Sequence, residues 1–282
     1  RWPGPTSPPM RMRWQVDATS RTITDVDYDN VKVGVTGGVV RILLNRPDRR
    51  NAMSLALLEE LAAALGTIGG MPDVGAVTIE GAGPVFSAGH DLSELLDREP
   101  SFYERLFAQC SEVMLAIQRV PKPVIAKVHG VATAAGCQLV AACDLAVAAE
   151  GTRFATPGVR IGLVCSTPMV PISRAIGRKR ALEMLLTGEP ISAATALEWG
   201  LVNRVVPAAD LEDEVMRLVA QIGRFSPAVI AIGKDAFYRQ VDETQADAYQ
   251  ITGPIMSGNA THPDAQEGMA AFLEKRSPKW GG

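Results

Sequence analysis

Apolar positions along this chain change their period several times, and each change marks an element. Val31–Val35 and Val39–Leu44 are rich in β-branched residues and flank Thr36-Gly37-Gly38, which predicts a hairpin. Ser54 stands where a helix cap is wanted, ahead of Leu57, Leu58, Leu61 and Leu65 at helical spacing, with Gly66 as the expected stop. Val74–Ile79 reads as a buried strand, followed by a glycine-rich turn and the short apolar pair Val85-Phe86. Phe102–Val120 has helical periodicity halted by Pro121 and Pro123. Val124–Val128 reads as a strand, Ala134–Cys143 as a helix of small residues, and Leu145–Ala149 as a strand again.

Strand-turn-helix units therefore recur, and the pattern predicts a mixed α/β domain of stacked β-β-α turns. Beyond Ile172 the character is helical: Arg178–Leu186, Ala193–Trp199, Ala208–Ile222, Pro227–Gln240 and Thr261–Lys275, interrupted by one short strand, Val202–Val206. The expected organisation is a tail over 1–25, a core over 26–191 and a helical region over 192–282. The tail holds Pro3, Pro5, Pro8 and Pro9 with Arg11, Arg13 and Arg21, and is expected to be poorly ordered. Its prolines oppose an amphipathic presequence helix, and it lacks the continuous apolar run of a cleavable secretory leader.

Composition narrows the class. In 282 residues, 47% are hydrophobic and 21% charged, enough for a substantial core. A net charge of −3 offers no electrostatic case for nucleic acid or a membrane surface. The most membrane-like stretch, Val124 to Ala149, is interrupted by Lys127, His129, Gln138 and Asp144, so it reads as core. Cys110, Cys137, Cys143 and Cys165 show no paired metal spacing, and no metal is expected. A reducing compartment fits such cysteines, either a bacterial cytoplasm or, second, a mitochondrial matrix.

Two matched segments carry the chemistry: Phe86-Ser87-Ala88-Gly89-His90-Asp91-Leu92, and His129 through Gly136-Cys137-Gln138-Leu139. In each, a short apolar strand runs into small residues and then a helical pattern. Small side chains let a ligand approach the backbone, and the first N–H groups of a helix lack internal partners. Two such turns face to face would aim two N–H donors at one oxygen, aided by the positive end of a helix dipole. That is the design of an oxyanion hole.

These segments resemble the crotonase, or enoyl-CoA hydratase/isomerase, superfamily. Leu44-Asn45-Arg46-Pro47 with Asn51-Ala52-Met53 resembles its opening loop, and Cys143-Asp144 follows the second oxyanion segment as in the family. Thr187-Gly188-Glu189-Pro190-Ile191 and Ala196 to Val202 resemble the entry to its trimerisation helices. Phe154 to Val159 and Cys165-Ser166-Thr167-Pro168 point to one subgroup within it. The resemblance implies a ClpP/crotonase-type spiral of β-β-α turns with a helical C-terminal trimerisation region. It also implies a homotrimer or homohexamer, and an acyl-CoA ligand whose coenzyme A is part of the substrate, with no separate cofactor.

By position, the resemblance assigns the oxyanion amides to His90 and Ala135. The family's two water-activating glutamates fall at Gln138 and Gly158, neither of which carries a proton at neutral pH. Efficient hydration is therefore not expected, and a non-catalytic acyl-CoA-binding or regulatory protein is the alternative. Substrate contacts are expected from Arg50, Ala52, Ser87, Ala88, Asp91, Leu92, Ser93, Ser166 and Lys275, and the packing of Leu95 and Leu96 is expected to influence pocket depth.

Several side chains admit two readings. His90 is an acid, base or coenzyme A contact, or a turn residue whose backbone alone matters. Cys165 or Ser166 is a thioesterase-like nucleophile, or serves packing and loop geometry. Asp91 caps the short helix beginning near Leu92, or takes part in catalysis. Glu94 and Asp97 form an acid–base pair one helical turn apart, or a solvated face. Arg46, Arg49 and Arg50 meet the nucleotide phosphates, or make surface salt bridges. Lys275 and Arg276 match a C-terminal segment that in the family reaches phosphates.

Overall fold

The computed structural model describes residues 28–281, so the expected tail lies outside the described residues. The hairpin forms as read: β1 (Val31–Thr36) pairs antiparallel with β2 (Val39–Leu44), with Gly37 and Gly38 at positive φ in the turn. Ser54 caps α1 (Leu55–Ile68), its side chain accepting from the Leu57 amide at 3.2 Å. Gly66 does not end this helix, which runs two residues further and places the fully buried Ile68 on the core.

β3 (Ala76–Gly81) pairs parallel with β2, and α2 (Pro100–Arg119) starts on a proline, which suits a first-turn position. β4 (Val124–Val128), β5 (Val131–Thr133), α3 (Ala135–Ala142), β6 (Leu145–Ala149) and β7 (Arg153–Ala155) follow. β4 and β6 join the large sheet, parallel from β2 onward, whose order is β1-β2-β3-β4-β6 and then β9 (Arg204–Val206). β5 and β7 instead form a small second sheet with β8 (Ile191–Ser192). The β4–β5 and β6–β7 turns thus lay one strand in the large sheet and the next in the small one. Val85-Phe86 leads into this scheme: the Phe86 amide donates to His129 O at 3.0 Å, and Ser87 forms an isolated bridge with Ala132. The stretch with membrane-like hydropathy is β4, β5, α3 and β6, buried in that core.

The remaining helices are α4 (Met169–Ile176), α5 (Arg178–Thr187), α6 (Ala193–Trp199), α7 (Leu211–Ile222), α8 (Pro227–Gln240), α9 (Gln245–Ala260) and α10 (Pro263–Leu273). The helical region is not cleanly separate from residue 192 onward. β9 completes the large sheet, and α7 seats Leu211, Val215 and Leu218 on Ile125, Val147 and Ala149. α8 is fastened by polar contacts. Lys234 Nζ donates to Ile117 O at 2.8 Å, Lys122 O at 2.9 Å and Asp144 Oδ2 at 2.6 Å, while Tyr238 donates to Asp144 Oδ1 at 2.7 Å.

Candidate functional site

The opening loop and the two small-residue turns converge. The Met53 amide donates to Gly89 O at 2.7 Å, and the Asp91 amide to Met53 O at 3.2 Å. Ser87 Oγ donates to Asn51 O at 2.8 Å, and Thr133 Oγ1 to Ala88 O at 3.0 Å. The turns touch so closely that a Cβ on Gly89 would lie 2.8 Å from Ala134 Cβ and 3.3 Å from the Ala135 nitrogen. Gly89, at φ +89°, is required by both the conformation and the approach. Ala134 adopts φ 49° just before α3, a backbone conformation that L-residues rarely take and that commonly marks functional turns.

Among the described residues, neither the His90 nor the Ala135 main-chain N–H has an acceptor. Two unpaired donors therefore stand in adjoining turns, one of them at the N-terminus of α3. Gln138 lies one helical turn further along α3 and is buried. Its Oε1 faces two weak donors, Cys110 Sγ at 3.7 Å and Thr167 Oγ1 at 3.5 Å. Cys110 and Thr167 are neighbours that sequence reasoning missed, since nothing local marks them.

Gly158 is more than an absent side chain. A Cβ there would overlap the Leu163 carbonyl oxygen and stand 2.8 Å from Cys165 Sγ, so the loop has closed over the position. Gly158→Ala is expected to lower stability by about 1–3 kcal/mol through overpacking. The check is the urea midpoint at constant m-value, and an unchanged midpoint would show that the loop opens freely.

The side chain of His90 is stowed. Its ring packs edge-on to Phe107 with centroids 5.3 Å apart, and both ring nitrogens are sealed from solvent without a partner at hydrogen-bonding geometry. Burial lowers its pKa, against a weaker pull from the Met53 backbone, and so favours the neutral ring. Acid–base work by this ring is thus disfavoured in the folded arrangement. As pH falls through about 6.5, the unfolded chain gains a proton that the folded one refuses, so stability drops. His90→Phe is expected to flatten that acid-side slope in pH-dependent urea unfolding, and equal slopes would contradict the assignment.

The other candidates separate clearly. Asp91 caps the short turn at Leu92–Glu94, accepting from Ser93 N at 3.2 Å and Ser93 Oγ at 2.6 Å, and pairs with Arg46 at 2.9 Å. Burial would raise its pKa, but the bonds from Ser93 and Arg46 win and hold its carboxyl low. Arg46 is committed inward, since it also donates to Ala52 O at 2.6 Å. Arg49 and Arg50 remain exposed and make no ion pair among the described residues. Glu94 accepts from the Leu55 amide at 3.0 Å, and Asp97 lies past the short turn at φ 51°, so they are not a pair on one helix. Leu92 is exposed beside Ser93, and Leu96 is also exposed.

Cys165 is buried, and burial raises its thiol pKa against a weaker opposing bond from the Gly158 backbone. Ser166 is exposed, and no base pairs with either residue among the described residues. Cys110 and Cys137 are pushed up to about 12 by burial, and all four cysteines are free thiols. Arg276 is engaged by Glu267 at 2.6 Å and Glu274 at 2.6 Å, whereas Lys275 is exposed. Lys275 follows α10, which packs on α8 and α9.

The sequence profile of the enoyl-CoA hydratase/isomerase family matches residues 34–282. The chain belongs to that family. Enoyl-CoA hydratase domain-containing protein 3, mitochondrial, from Danio rerio is 47% identical over 272 residues, covering 96% of this chain and 91% of that protein. A crystal structure of enoyl-CoA hydratase from Mycobacterium smegmatis is 52% identical with a TM-score of 0.85, covering 87% of this chain and 96% of that one. Human enoyl-CoA hydratase domain-containing protein 3 is 46% identical with a TM-score of 0.86, covering 89% and 100%. The crotonase spiral is therefore the fold, and the subgroup indicated by the Cys165–Pro168 segment is that of the domain-containing protein 3 relatives.

Proposed function

We propose that this protein binds acyl-CoA thioesters and stabilises the thioester enolate between the main-chain amides of His90 and Ala135. The observation that carries the reading is the pair of unpaired N–H groups in adjoining turns, at a helix N-terminus. A thioester α-carbon becomes usefully acidic only when the developing oxyanion is held, and one preorganised donor is worth ~3–4 kcal/mol. Gln138 can orient a water but cannot take its proton, and Gly158 contributes no group at all, so hydration is weak or replaced by another reaction.

Ala52, Ser87, Ala88 and Asp91 build the cleft, with Leu92, Ser93 and Ser166 along its rim. Arg50 meets the nucleotide phosphates, joined by Lys275 from a second copy of the chain. Exposed apolar residues on the C-terminal helices, among them Phe237, Tyr249 and Met256, suit a homotrimer or homohexamer. The free thiols suit a bacterial cytoplasm, and relatives named as mitochondrial support the matrix as the second compartment.

A second reading, acyl-CoA binding without turnover, is favoured by one observation: the occupied space at Gly158. Titration calorimetry with butanoyl-CoA tests the shared core of both readings. Micromolar or tighter binding is expected, and its absence would overturn them together.

A further inference from the structure

Ala134 carries backbone strain at the junction of β5 and α3. Its dihedrals, φ 49° and ψ −118°, are those of the first central position of a type II′ turn, where glycine is the usual residue. Arg50, also at positive φ, lies in the tolerated left-handed helical well at φ 52° and ψ 37°; Ala134 lies outside it. Its neighbours hold it there. The Ala134 amide donates to Ala155 O at 2.9 Å at the end of β7, and its carbonyl accepts from the Gln138 amide at 2.9 Å in the first turn of α3. Thr133 is fixed as well, its amide donating to Ser87 O at 3.0 Å and its Oγ1 to Ala88 O at 3.0 Å. Relaxing Ala134 to a negative φ would turn one of its peptide groups away from Ala155 or Gln138.

Those bonds also set a direction. In a planar trans peptide the N–H points opposite to the C=O. The Ala134 carbonyl points along α3 to Gln138, so the Ala135 N–H of the same peptide points out of the helix start. The Gly89 carbonyl is taken by the Met53 amide at 2.7 Å, so the His90 N–H of that peptide points away from Met53. The methyl of Ala134 abuts this first turn, since a Cβ built on Gly89 would lie 2.8 Å from it. Ala134 offers no capping oxygen, so its side chain does not compete for the free amides of α3.

Resting on the enolate reading above, we infer that Ala134 is a positioning residue: its strained backbone aims the Ala135 amide, and its methyl sets the spacing from the His90 turn. Glycine would sit here with less strain and leave both aim and spacing loose.

Infrared difference spectra of bound butanoyl-CoA, isotopically labelled at the thioester carbonyl, test this. Donors on the carbonyl oxygen move its stretching band to lower frequency, and the natural protein is expected to show that shift. Ala134→Gly is expected to lose about half of the shift or more, because hydrogen bonds weaken steeply with misalignment. Its urea midpoint is expected to rise, since glycine removes strain at positive φ. A merely structural role would instead lower stability along with the shift. Ala142→Gly, at the far end of α3, is the control, expected to lower the midpoint and leave the band in place. An undiminished shift in Ala134→Gly, a fall in its midpoint, or an equal loss of shift in Ala142→Gly overturns the inference while leaving the enolate reading intact. Absence of any shift in the natural protein with butanoyl-CoA bound removes the enolate reading and this inference with it.

Discussion

Crotonyl-CoA hydration by this protein is expected to be at least ~10⁴-fold slower than by a family member carrying both carboxylates. General acid–base groups each contribute about 10²–10⁴-fold, and on the proposed reading neither Gln138 nor Gly158 supplies one. The amide of Gln138 has donors and an acceptor but no proton to exchange at neutral pH. On the proposed reading the His90 and Ala135 amides would still polarise the thioester, and the deficit would lie in water activation. Loss of the enoyl chromophore reads the rate directly. Gln138→Glu is expected to recover at most about 10²-fold, with a new dependence on carboxylate ionisation. Adding Gly158→Glu is not expected to complete the recovery, because a side chain there meets the Leu163 carbonyl oxygen and Cys165. A natural-protein kcat/KM near ~10⁸ M⁻¹s⁻¹, the diffusional ceiling, would refute this account.

Lys234→Met is expected to destabilise the protein by about 3–5 kcal/mol, the range for breaking a buried ion pair from one side. Lys234 and Asp144 have side chains only 8% and 14% exposed, so the surviving partner has little recourse to water. Burial opposes both charges, raising the pKa of Asp144 and lowering that of Lys234, and their contact resists that shift. The variant also strips a donor from Ile117 O and Lys122 O, which tie α8 to the end of α2. Asp144 retains bonds from the Val124 amide at 2.6 Å and from Tyr238, which sets the loss nearer the lower figure. Adding Asp144→Asn is expected to restore part of the loss, since no unpaired charge is then buried. Urea unfolding of the single and double variants decides it, and a single variant within about 0.5 kcal/mol of the parent would show the pair to be dispensable.

The fold was legible where period and length are strong. β4 and β6 match their expected bounds, and the hairpin does so within a residue, since long apolar runs leave little choice of face. β5, β7 and β8 were not legible, because two or three residues carry no measurable period. α9 was missed as well: Gly253 and Pro254 oppose a helix by local propensity, yet the helix continues through them with a Thr244 cap at its start. At the site, Asp91 was legible as a cap because capping is local chemistry. Glu94 and Arg46 were not, since each is committed to a residue dozens of positions away.

By itself, the sequence determined the two small-residue turns and the lack of carboxylates at Gln138 and Gly158. Those properties follow from side-chain chemistry, and no packing can give an amide a transferable proton at neutral pH. Tertiary structure alone decided which groups remain available. It committed Arg46 to Asp91, sealed the His90 ring, filled the space at Gly158 and opened a cavity beside Gln138. Such outcomes depend on close-packed contacts between segments far apart in the chain, and local pattern carries no record of them.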